Sequence, residues 1–244
     1  KKPLYIKKLC LFMKNAIILC SGGLDSVVTS YYVKKKLKYE KIKILFFDYN
    51  QRTLEQERKA SKFCSSKLNA EFIEIKLDWL GKISTSLINS DKKAKKISKD
   101  DLKDTKEESN KYYVPFRNGI FLSYAISLAD SLFFKDKEVW DIFVGFKNEG
   151  KEAFPDTTPE FVEKANKLRE VSQVKGEIVA PLIEKDKEDI INLGKELNID
   201  LSKTYSCYIG VKGNMKHCGT CLACCLRKEG FYWAGVKDET EYRN

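Results

Sequence analysis

Short apolar runs alternate with longer amphipathic segments along the first third of the chain. The apolar runs cover 16–20, 41–47 and 71–75, and the segments 27–38 and 54–68 between them favour helix. This order predicts strand, helix, strand, helix, strand, which is typical of an α/β protein with a doubly wound parallel sheet. Ligands of such folds bind outside the carboxyl ends of the strands, so candidate chemistry is expected there.

The alternation continues in the second half of the chain. It predicts a helix over 120–134, a strand over 139–145, a helix over 159–171, a strand over 177–180 and a helix over 186–197. Asn118 is a good N-cap for the first of these helices, and Pro115 disfavours helix just before it.

Segment 89–111 breaks the pattern, because it has almost no large apolar residues and many Lys, Asp and Ser residues. A segment of this composition buries too little apolar surface to fold by itself. It is therefore expected to be a flexible loop. The sequence leaves open whether the loop is a lid over the site or a disordered stretch.

The composition is that of a globular protein suited to an anionic ligand. Hydrophobic residues make up 43% of the 244 positions, and the formal net charge is +10. The excess of lysine suits ATP or nucleic acid, and equally a solvated surface without a ligand. No apolar run approaches the roughly 20 residues of a membrane helix, and the protein is expected to be cytoplasmic. Residues 1–13 are expected to be an extension, because their apolar patch is too short for a secretion signal.

A glycine turn joins the first predicted strand to the first predicted helix. Its residues are Ser21, Gly22, Gly23, Leu24, Asp25 and Ser26. Two glycines allow backbone N–H groups to converge, and the helix adds unpaired N–H groups and the positive end of its dipole. The combination favours phosphate binding over an ordinary turn, with Asp25 able to hold a magnesium ion or orient a nucleotide. The spacing is neither that of the Gly-Lys-Ser/Thr phosphate loop nor that of the G-x-G-x-x-G dinucleotide turn.

Other candidate ligands of a nucleotide end strands or begin helices. Asp48 and Tyr49 follow the second predicted strand, so they are expected to face the same crevice as the glycine turn. Arg117 lies beside a predicted helix start, where it suits a phosphate or a surface salt bridge. Lys187 lies in the first turn of a helix, where a cation is unfavourable for the dipole and a phosphate partner would explain it.

Eight cysteines in a chain expected to be cytoplasmic indicate metal binding or reduced thiols more than disulfides. Four have the spacing C-x10-C-x2-C-x2-C, which is typical of a closed structural zinc site: Cys207, Cys218, Cys221 and Cys224. An iron–sulfur cluster uses the same ligands and stays an alternative. His217 and Cys225 lie beside these ligands as spares, whereas Cys10, Cys20 and Cys64 are expected to be small buried residues.

The S-G-G-x-D-S turn resembles the pyrophosphate loop (PP-loop) of the ATP pyrophosphatase superfamily, whose members cleave ATP between the α and β phosphates. Taken with further motifs, residues 14–236 resemble the 7-cyano-7-deazaguanine synthase family (QueC) of the queuosine pathway. These motifs are F-D-Y-x-Q-R at 47–52, Y-V-P-x-R-N at 113–118, F-P-D at 154–156, A-P-L-I at 180–183 with Lys187, and S-C…C-G-x-C-x-x-C-x-x-R at 206–227.

The resemblance implies a fold, a reaction and cofactors. The fold is a Rossmann-like α/β domain of the adenine nucleotide alpha hydrolase type over 14–200, with a small zinc-binding C-terminal lobe over 201–236, in a homodimer. The implied reaction is carbon–nitrogen ligation. ATP activates the carboxylate of 7-carboxy-7-deazaguanine, ammonia displaces AMP to give an amide, and a second activation dehydrates the amide to a nitrile. The cofactors are ATP with magnesium and a structural zinc.

The resemblance also implies roles for single residues. Asp25, Arg117 and Lys187 are the catalytic set, in which Asp25 binds magnesium and the two cations stabilise the departing pyrophosphate. The residues implied to bind ATP are Ser21, Gly22, Gly23, Leu24, Asp25, Ser26, Asp48, Tyr49, Gln51, Arg117, Asn118 and Lys187. The substrate base is assigned to Phe154 by stacking, to the neighbouring Pro155, and to Asp156, which would accept hydrogen bonds from the base.

Residues 148–157 depart from the family pattern, because they lack its Ser-Gly pair and its cysteine and carry Lys151 and Glu152. This departure keeps a second reading open, in which the deazaguanine adenylate passes to another amine, such as a protein N-terminus in phage defence. A third reading is an RNA-modifying or RNA-binding PP-loop protein that uses the net charge of +10.

Overall fold

Five parallel strands form one sheet in the computed structural model, which describes residues 14–98, 100–148, 150, 154–172 and 175–243. The strands are β1 (Asn15–Leu19), β2 (Lys41–Asp48), β3 (Glu71–Lys76), β4 (Trp140–Val144) and β5 (Ile178–Val179). Their order is β3-β2-β1-β4-β5, so the winding reverses between β1 and β4. The predicted doubly wound parallel sheet is confirmed, and the predicted extension over 1–13 lies outside the described residues.

Helices connect the strands and follow the sheet. They are α1 (Leu24–Lys35), α2 (Leu54–Leu68), α3 (Asp78–Ile83), α4 (Lys106–Asn110), α5 (Arg117–Asp136), α6 (Pro159–Arg169), α7 (Lys187–Glu196) and α8 (Leu222–Trp233). In the part of the chain that the structure describes, no helix is both long and apolar enough to cross a membrane.

The prediction of Asn118 as the N-cap of α5 is wrong, because the helix begins at Arg117 and its N-cap is Phe116. Phe116 precedes the helix with φ 49°, in the left-handed region, and turns the chain directly into α5 at Arg117. The side-chain amide of Asn118 instead donates to the carbonyl oxygen of Asp156 at 3.2 Å. The side chain of Asn118 therefore makes a tertiary contact and does not cap the helix.

The sheet is buried on both faces, which explains the uninterrupted apolar strands in the sequence. In β1, Ala16 and Ile18 belong to the core cluster that includes Val27 of α1. Ile17 lies in the opposite cluster, with Leu122 of α5. The amphipathic pattern of the helices and the apolar runs of the strands thus have one cause, which is the packing of helices on both faces of the sheet.

Segment 89–111 contains a 3₁₀ turn over Asp100–Leu102 and the short helix α4. The backbone N–H of Ile97 donates to the carbonyl oxygen of Thr220 at 2.9 Å, so the segment contacts the C-terminal part of the chain. Arg52 donates to the carbonyl oxygens of Ser90 and Lys92. These contacts anchor the segment beside the cysteine-rich region, and its motion stays a prediction.

A buried arginine holds the C-terminal residues together. Arg227 is 2% exposed and donates to the hydroxyls of Thr204, Ser206 and Thr240 and to the carbonyl oxygen of Leu201. Since a buried guanidinium is stable only when its N–H groups are paired, these bonds fix α8 against the stretch that leads into the cysteines. The division into domains at residue 200 stays a prediction.

Candidate active site

A cleft of about 290 Å³ opens at the carboxyl ends of the strands, with residues from the ends of β1 and β4 in its wall. This is the point where the winding of the sheet reverses, and the strands there part to leave a crevice for a ligand. The glycine turn after β1, the end of β2, the start of α5 and the stretch before the cysteines all contribute side chains.

The glycine turn lies at one end of the cleft and is the part whose backbone could bind an anion. Gly22 has φ +83° and packs so closely against α2 that a Cβ would lie 2.6 Å from the carbonyl oxygen of Glu57. Its own carbonyl oxygen accepts from the N–H of Tyr205 at 2.8 Å. Gly23 precedes α1 without a side-chain cap, so the first N–H groups of that helix have no intrahelical acceptor. The turn therefore presents N–H donors and a helix dipole to the cleft.

Asp25 and Lys187 meet across the cleft from α1 and α7. The Lys187 ammonium lies 2.7 and 2.9 Å from the two carboxylate oxygens of Asp25. Gly230 of α8 makes this approach possible, because a Cβ there would lie 2.3 Å from Cγ of Lys187. The carboxylate of Asp25 thus offsets the unfavourable position of Lys187 at the positive end of the helix dipole.

Arg117 lies over the aromatic ring of Tyr49. Its guanidinium donates to the hydroxyl of Tyr49 at 3.1 Å and lies 5.6 Å from the centre of that ring. Burial raises the pKa of Tyr49 to about 12, so the phenol stays neutral. The amide of Gln51 accepts from the backbone N–H of Tyr49 and donates to the carbonyl oxygen of Phe47, which fixes the turn after β2.

The cleft brings together ten of the residues that the sequence singled out for ATP and substrate. These are Ser21, Gly23, Leu24, Asp25, Ser26, Tyr49, Arg117, Asn118, Phe154 and Lys187. Five others lie outside its lining, and these are Gly22, Asp48, Gln51, Pro155 and Asp156. Asp48 faces Arg58 at 3.5 Å, and Asp156 is 8% exposed.

The structure adds residues that sequence reasoning missed. Glu57 of α2 lines the cleft, accepts hydrogen bonds from Thr53 and Gln51, and has its pKa raised by burial. Tyr205 and Ser206 line it from the C-terminal side. No local signal could have separated Glu57 from the exposed Glu55 of the same helix, because only the packing of α2 turns Glu57 towards the cleft.

The four cysteines of the C-x10-C-x2-C-x2-C spacing form one cluster, in which all four Sγ atoms lie within 4.8 Å of one another. The Sγ atoms of Cys207 and Cys221 are 3.9 Å apart, as are those of Cys218 and Cys224. The backbone N–H groups of Gly210 and Cys218 donate to Cys207 Sγ at 3.1 and 3.3 Å. Hydrogen bonds from the other three cysteines hold the pKa of Cys218 far below its usual range. This donor set fits a metal ion that takes four thiolates.

The two spare ligands lie outside this cluster. His217 Nε2 accepts from the backbone N–H of Ser206 at 3.0 Å, and burial lowers the pKa of the imidazole to about 3. Cys225 Sγ points to the carbonyl oxygen of Ile97 at 3.8 Å. Cys20 and Cys64 are buried at 1% exposure, as predicted, and Cys10 lies outside the described residues.

A doubly wound parallel sheet, with an N–H-rich glycine turn and a cleft at its switch point, defines the class of α/β proteins that bind phosphate-bearing ligands. The model of the queuosine biosynthesis protein QueC matches residues 15–235. The chain therefore belongs to the QueC family.

Curated relatives match over nearly their whole length. The 7-cyano-7-deazaguanine synthase of Methanobrevibacter smithii is 38% identical over 237 residues, which cover 95% of this chain and 99% of that protein. The synthase of Methanosphaera stadtmanae is 39% identical and covers 93% and 98%. Among solved structures, the NMN synthetase of Francisella tularensis superposes with a TM-score of 0.45 at 11% identity, over 93% of this chain and 79% of that one. Since the curated relatives are synthases, the prediction of an enzyme is confirmed.

Proposed function

We propose that the chain converts 7-carboxy-7-deazaguanine and ammonia into 7-cyano-7-deazaguanine at the expense of ATP. The observation that carries the proposal is the family match over 15–235 together with a cleft that gathers the glycine turn, Arg117 and Lys187. ATP would activate the carboxylate as an acyl adenylate, ammonia would displace AMP, and a second activation would dehydrate the amide. A cleft that shields the reacting groups from bulk water suits this chemistry, because an acyl adenylate hydrolyses in free water.

In this proposal the phosphates of ATP lie at the glycine turn. Backbone N–H groups within residues 22–26 would donate to them. Ser21 and Ser26 would add hydroxyl donors, for which the Ser26 hydroxyl would leave its present acceptor, the carbonyl oxygen of Gly23. Arg117 and Lys187 stabilise the charge that develops on the departing pyrophosphate. Asp25 is the ligand for magnesium, which supplies charge neutralisation on the phosphates when bound.

The contacts of the remaining residues refine their proposed roles. Asn118 lines the cleft, as does Arg117. The hydroxyl of Tyr49 accepts a hydrogen bond from the guanidinium of Arg117 and so positions it. Asp48 and Gln51 would act on the nucleotide through the turn after β2, since Gln51 binds the backbone of Tyr49.

The substrate base is proposed to lie against Phe154, which lines the cleft. Pro155 and Asp156 form a 3₁₀ turn directly after Phe154, and the carbonyl oxygen of Asp156 is held by Asn118. A base stacked on Phe154 would place its polar edge near this turn, where the carboxylate of Asp156 would accept N–H donors.

We propose zinc for the cysteine cluster. Tetrahedral zinc with bonds of about 2.3 Å to sulfur separates its ligand atoms by about 3.8 Å. Two Sγ pairs are 3.9 Å apart, which agrees with a single ion. An iron–sulfur cluster would hold the cysteine sulfurs further apart, because the cluster atoms lie between them. Zinc there would stabilise the fold of the C-terminal lobe and take no part in the reaction.

The function is tested by incubating the protein with 7-carboxy-7-deazaguanine, ammonium and Mg-ATP, and by mass spectrometry of the products. AMP together with the nitrile is the expected result. AMP without the amide or the nitrile would point to another amine acceptor, such as a protein N-terminus, and absence of AMP would contradict the proposed reaction. Salt-sensitive binding of RNA in place of turnover would favour an RNA-binding protein.

The homodimer stays a prediction, which light scattering would check.

Replacement of Lys187 by glutamine is expected to lower adenylate formation by about 10²-fold, because the charge that meets the departing pyrophosphate is removed. Substrate-dependent exchange of pyrophosphate into ATP measures this step. Lys195→Gln on the exposed side of the same helix is the matched control and is expected to keep the wild-type rate. Equal rates for wild type and Lys187→Gln would remove Lys187 from the proposed mechanism.

A further inference from the structure

Glu57 places a carboxylate in the cleft without an assigned task. The backbone of Glu57 packs against the glycine turn, because the backbone carbonyl oxygen of Glu57 occupies the space that a Cβ on Gly22 would need. One carboxylate oxygen accepts from the hydroxyl of Thr53 and the other from the amide of Gln51 at 3.2 Å. Each carboxylate oxygen has a second lone pair, so the group can still accept from a ligand.

Glu57 differs from the other carboxylate in the cleft lining by its charge balance. Among the described residues, Asp25 and Glu57 are the two acidic residues of that lining. Asp25 already has the ammonium of Lys187 within 2.9 Å. Glu57, in contrast, has neutral donors as its hydrogen-bond partners in the described chain. Arg117 acts on Glu57 through its charge without a hydrogen bond, so a cationic ligand could still pair with the carboxylate directly.

The surroundings of Glu57 place it close to the proposed reaction centre. Arg117 from α5 lowers its pKa through its charge, and the carboxylate in turn raises the pKa of Tyr49, which follows β2, and of Tyr205 in the C-terminal stretch. Burial is the largest influence and raises the pKa of Glu57. A raised pKa makes the carboxylate a stronger base than an exposed glutamate, which suits a residue that takes a proton.

We propose that Glu57 binds the amine acceptor as ammonium and takes its proton before it attacks the acyl adenylate. The inference rests on the proposed function and adds a catalytic residue to it. An N–H bond of ammonium breaks and an O–H bond forms on the carboxylate. The nitrogen lone pair then forms the C–N bond, and the C–O bond to phosphate breaks with its electrons leaving on AMP. The second proton lost by nitrogen passes to water.

This assignment has a consequence for the acceptor. The carboxylate lines the cleft together with Tyr49 and Tyr205. Because the cleft has a volume of about 290 Å³, a small amine needs less of its space beside the substrates than a polypeptide N-terminus does. Glu57 therefore favours ammonia as the acceptor.

The test compares two half-reactions in Glu57→Gln, which keeps the shape of the side chain and removes the base. Pyrophosphate exchange into ATP, which needs no amine, is expected to stay within about twofold of wild type. Amide formation from ammonium is expected to fall by about 10²-fold, as for loss of a general base. Hydroxylamine, which is uncharged at neutral pH, should restore product formation as the hydroxamate. Glu55→Gln, an exposed position of the same helix, is the matched control.

Each outcome decides between the alternatives. Equal loss in both half-reactions would overturn the inference and identify Glu57 as a ligand of magnesium or of the acid substrate. Unchanged amide formation would also overturn it. If the wild-type protein makes no AMP, the proposed function fails, and the inference fails with it. The inference fails by itself when the wild-type protein makes AMP and the amide but Glu57→Gln gives one of the two contradicting results above.

A second variant guards against misfolding of Glu57→Gln. Thr53→Val removes the hydroxyl that donates to Glu57 and nearly preserves the volume of the side chain. Since this hydrogen bond lowers the pKa of Glu57, its loss should raise that pKa and move the acid limb of the amide-formation rate to higher pH. The acid limb of pyrophosphate exchange should stay in place. A shift of both limbs together, or of neither, would contradict the assignment.

Discussion

Gly22→Ala is expected to abolish adenylate formation and to lower the free energy of unfolding by about 4 kcal/mol. Two causes add. The residue has φ +83°, which costs a non-glycine residue about 1–3 kcal/mol. The added Cβ would also lie 2.6–2.8 Å from the carbonyl oxygen of Glu57, Cβ of Ala60 and the N–H of Ser61. Because these are mostly backbone atoms of α2, the turn must move away from α2, and its N–H groups would lose the position proposed for binding phosphate.

Gly213→Ala separates the two causes. Gly213 has φ +79° as well, but a Cβ there would meet no atom within 4 Å. It therefore measures the conformational cost by itself, and its adenylate formation should equal that of wild type. Urea denaturation and pyrophosphate exchange are the measurements. Similar behaviour of the two variants would show that close packing of the glycine turn on α2 has no role.

Cys224→Ser is expected to release the metal and to unfold the C-terminal residues. Structural zinc contributes on the order of 10 kcal/mol of binding free energy that depends on all four ligands. Cys224 is fully buried in the cluster, so a serine there would be a poor ligand without access to solvent. The N–H of Tyr205, which binds the carbonyl oxygen of Gly22, would be released too. Nucleotide affinity should therefore fall together with the metal content.

The neighbouring Cys225 provides the control, because Cys225→Ser changes the same type of residue outside the cluster. Elemental analysis should find about one zinc per chain in wild type and Cys225→Ser, and none in Cys224→Ser. Hydrogen exchange of the amides over 201–243 reports the loss of structure. Retention of zinc by Cys224→Ser, or a visible iron chromophore in the wild type, would refute the proposed metal centre.

Most of the sheet and its helices could be predicted because burial on both faces leaves a strong pattern. α2 was predicted with the bounds that the structure has, since Ala60, Cys64 and Leu68 recur at helical spacing and are buried. The start of α5 was not predicted, because it depends on the left-handed conformation of Phe116. Segment 89–111 also gave no signal for its 3₁₀ turn and α4.

The candidate site divides in a similar way. The glycine turn, Arg117 and Lys187 could be named from sequence because each lies at the end of a strand or the start of a helix, where phosphate ligands bind. The cysteine spacing predicted a cluster that the structure contains. The contact between Asp25 and Lys187 spans 162 positions, so no local pattern could indicate it.

The sequence by itself determined the order of strands and helices, the N–H-rich turn and the four clustered thiols, because short-range periodicity and spacing encode them. The tertiary structure alone decided which of these residues share one cleft. It turned Glu57 inwards while Asp48 pairs with Arg58, and it brought Tyr205 against Gly22. The physical reason is that a side chain takes its role from the elements packed around it, and those come from distant parts of the chain.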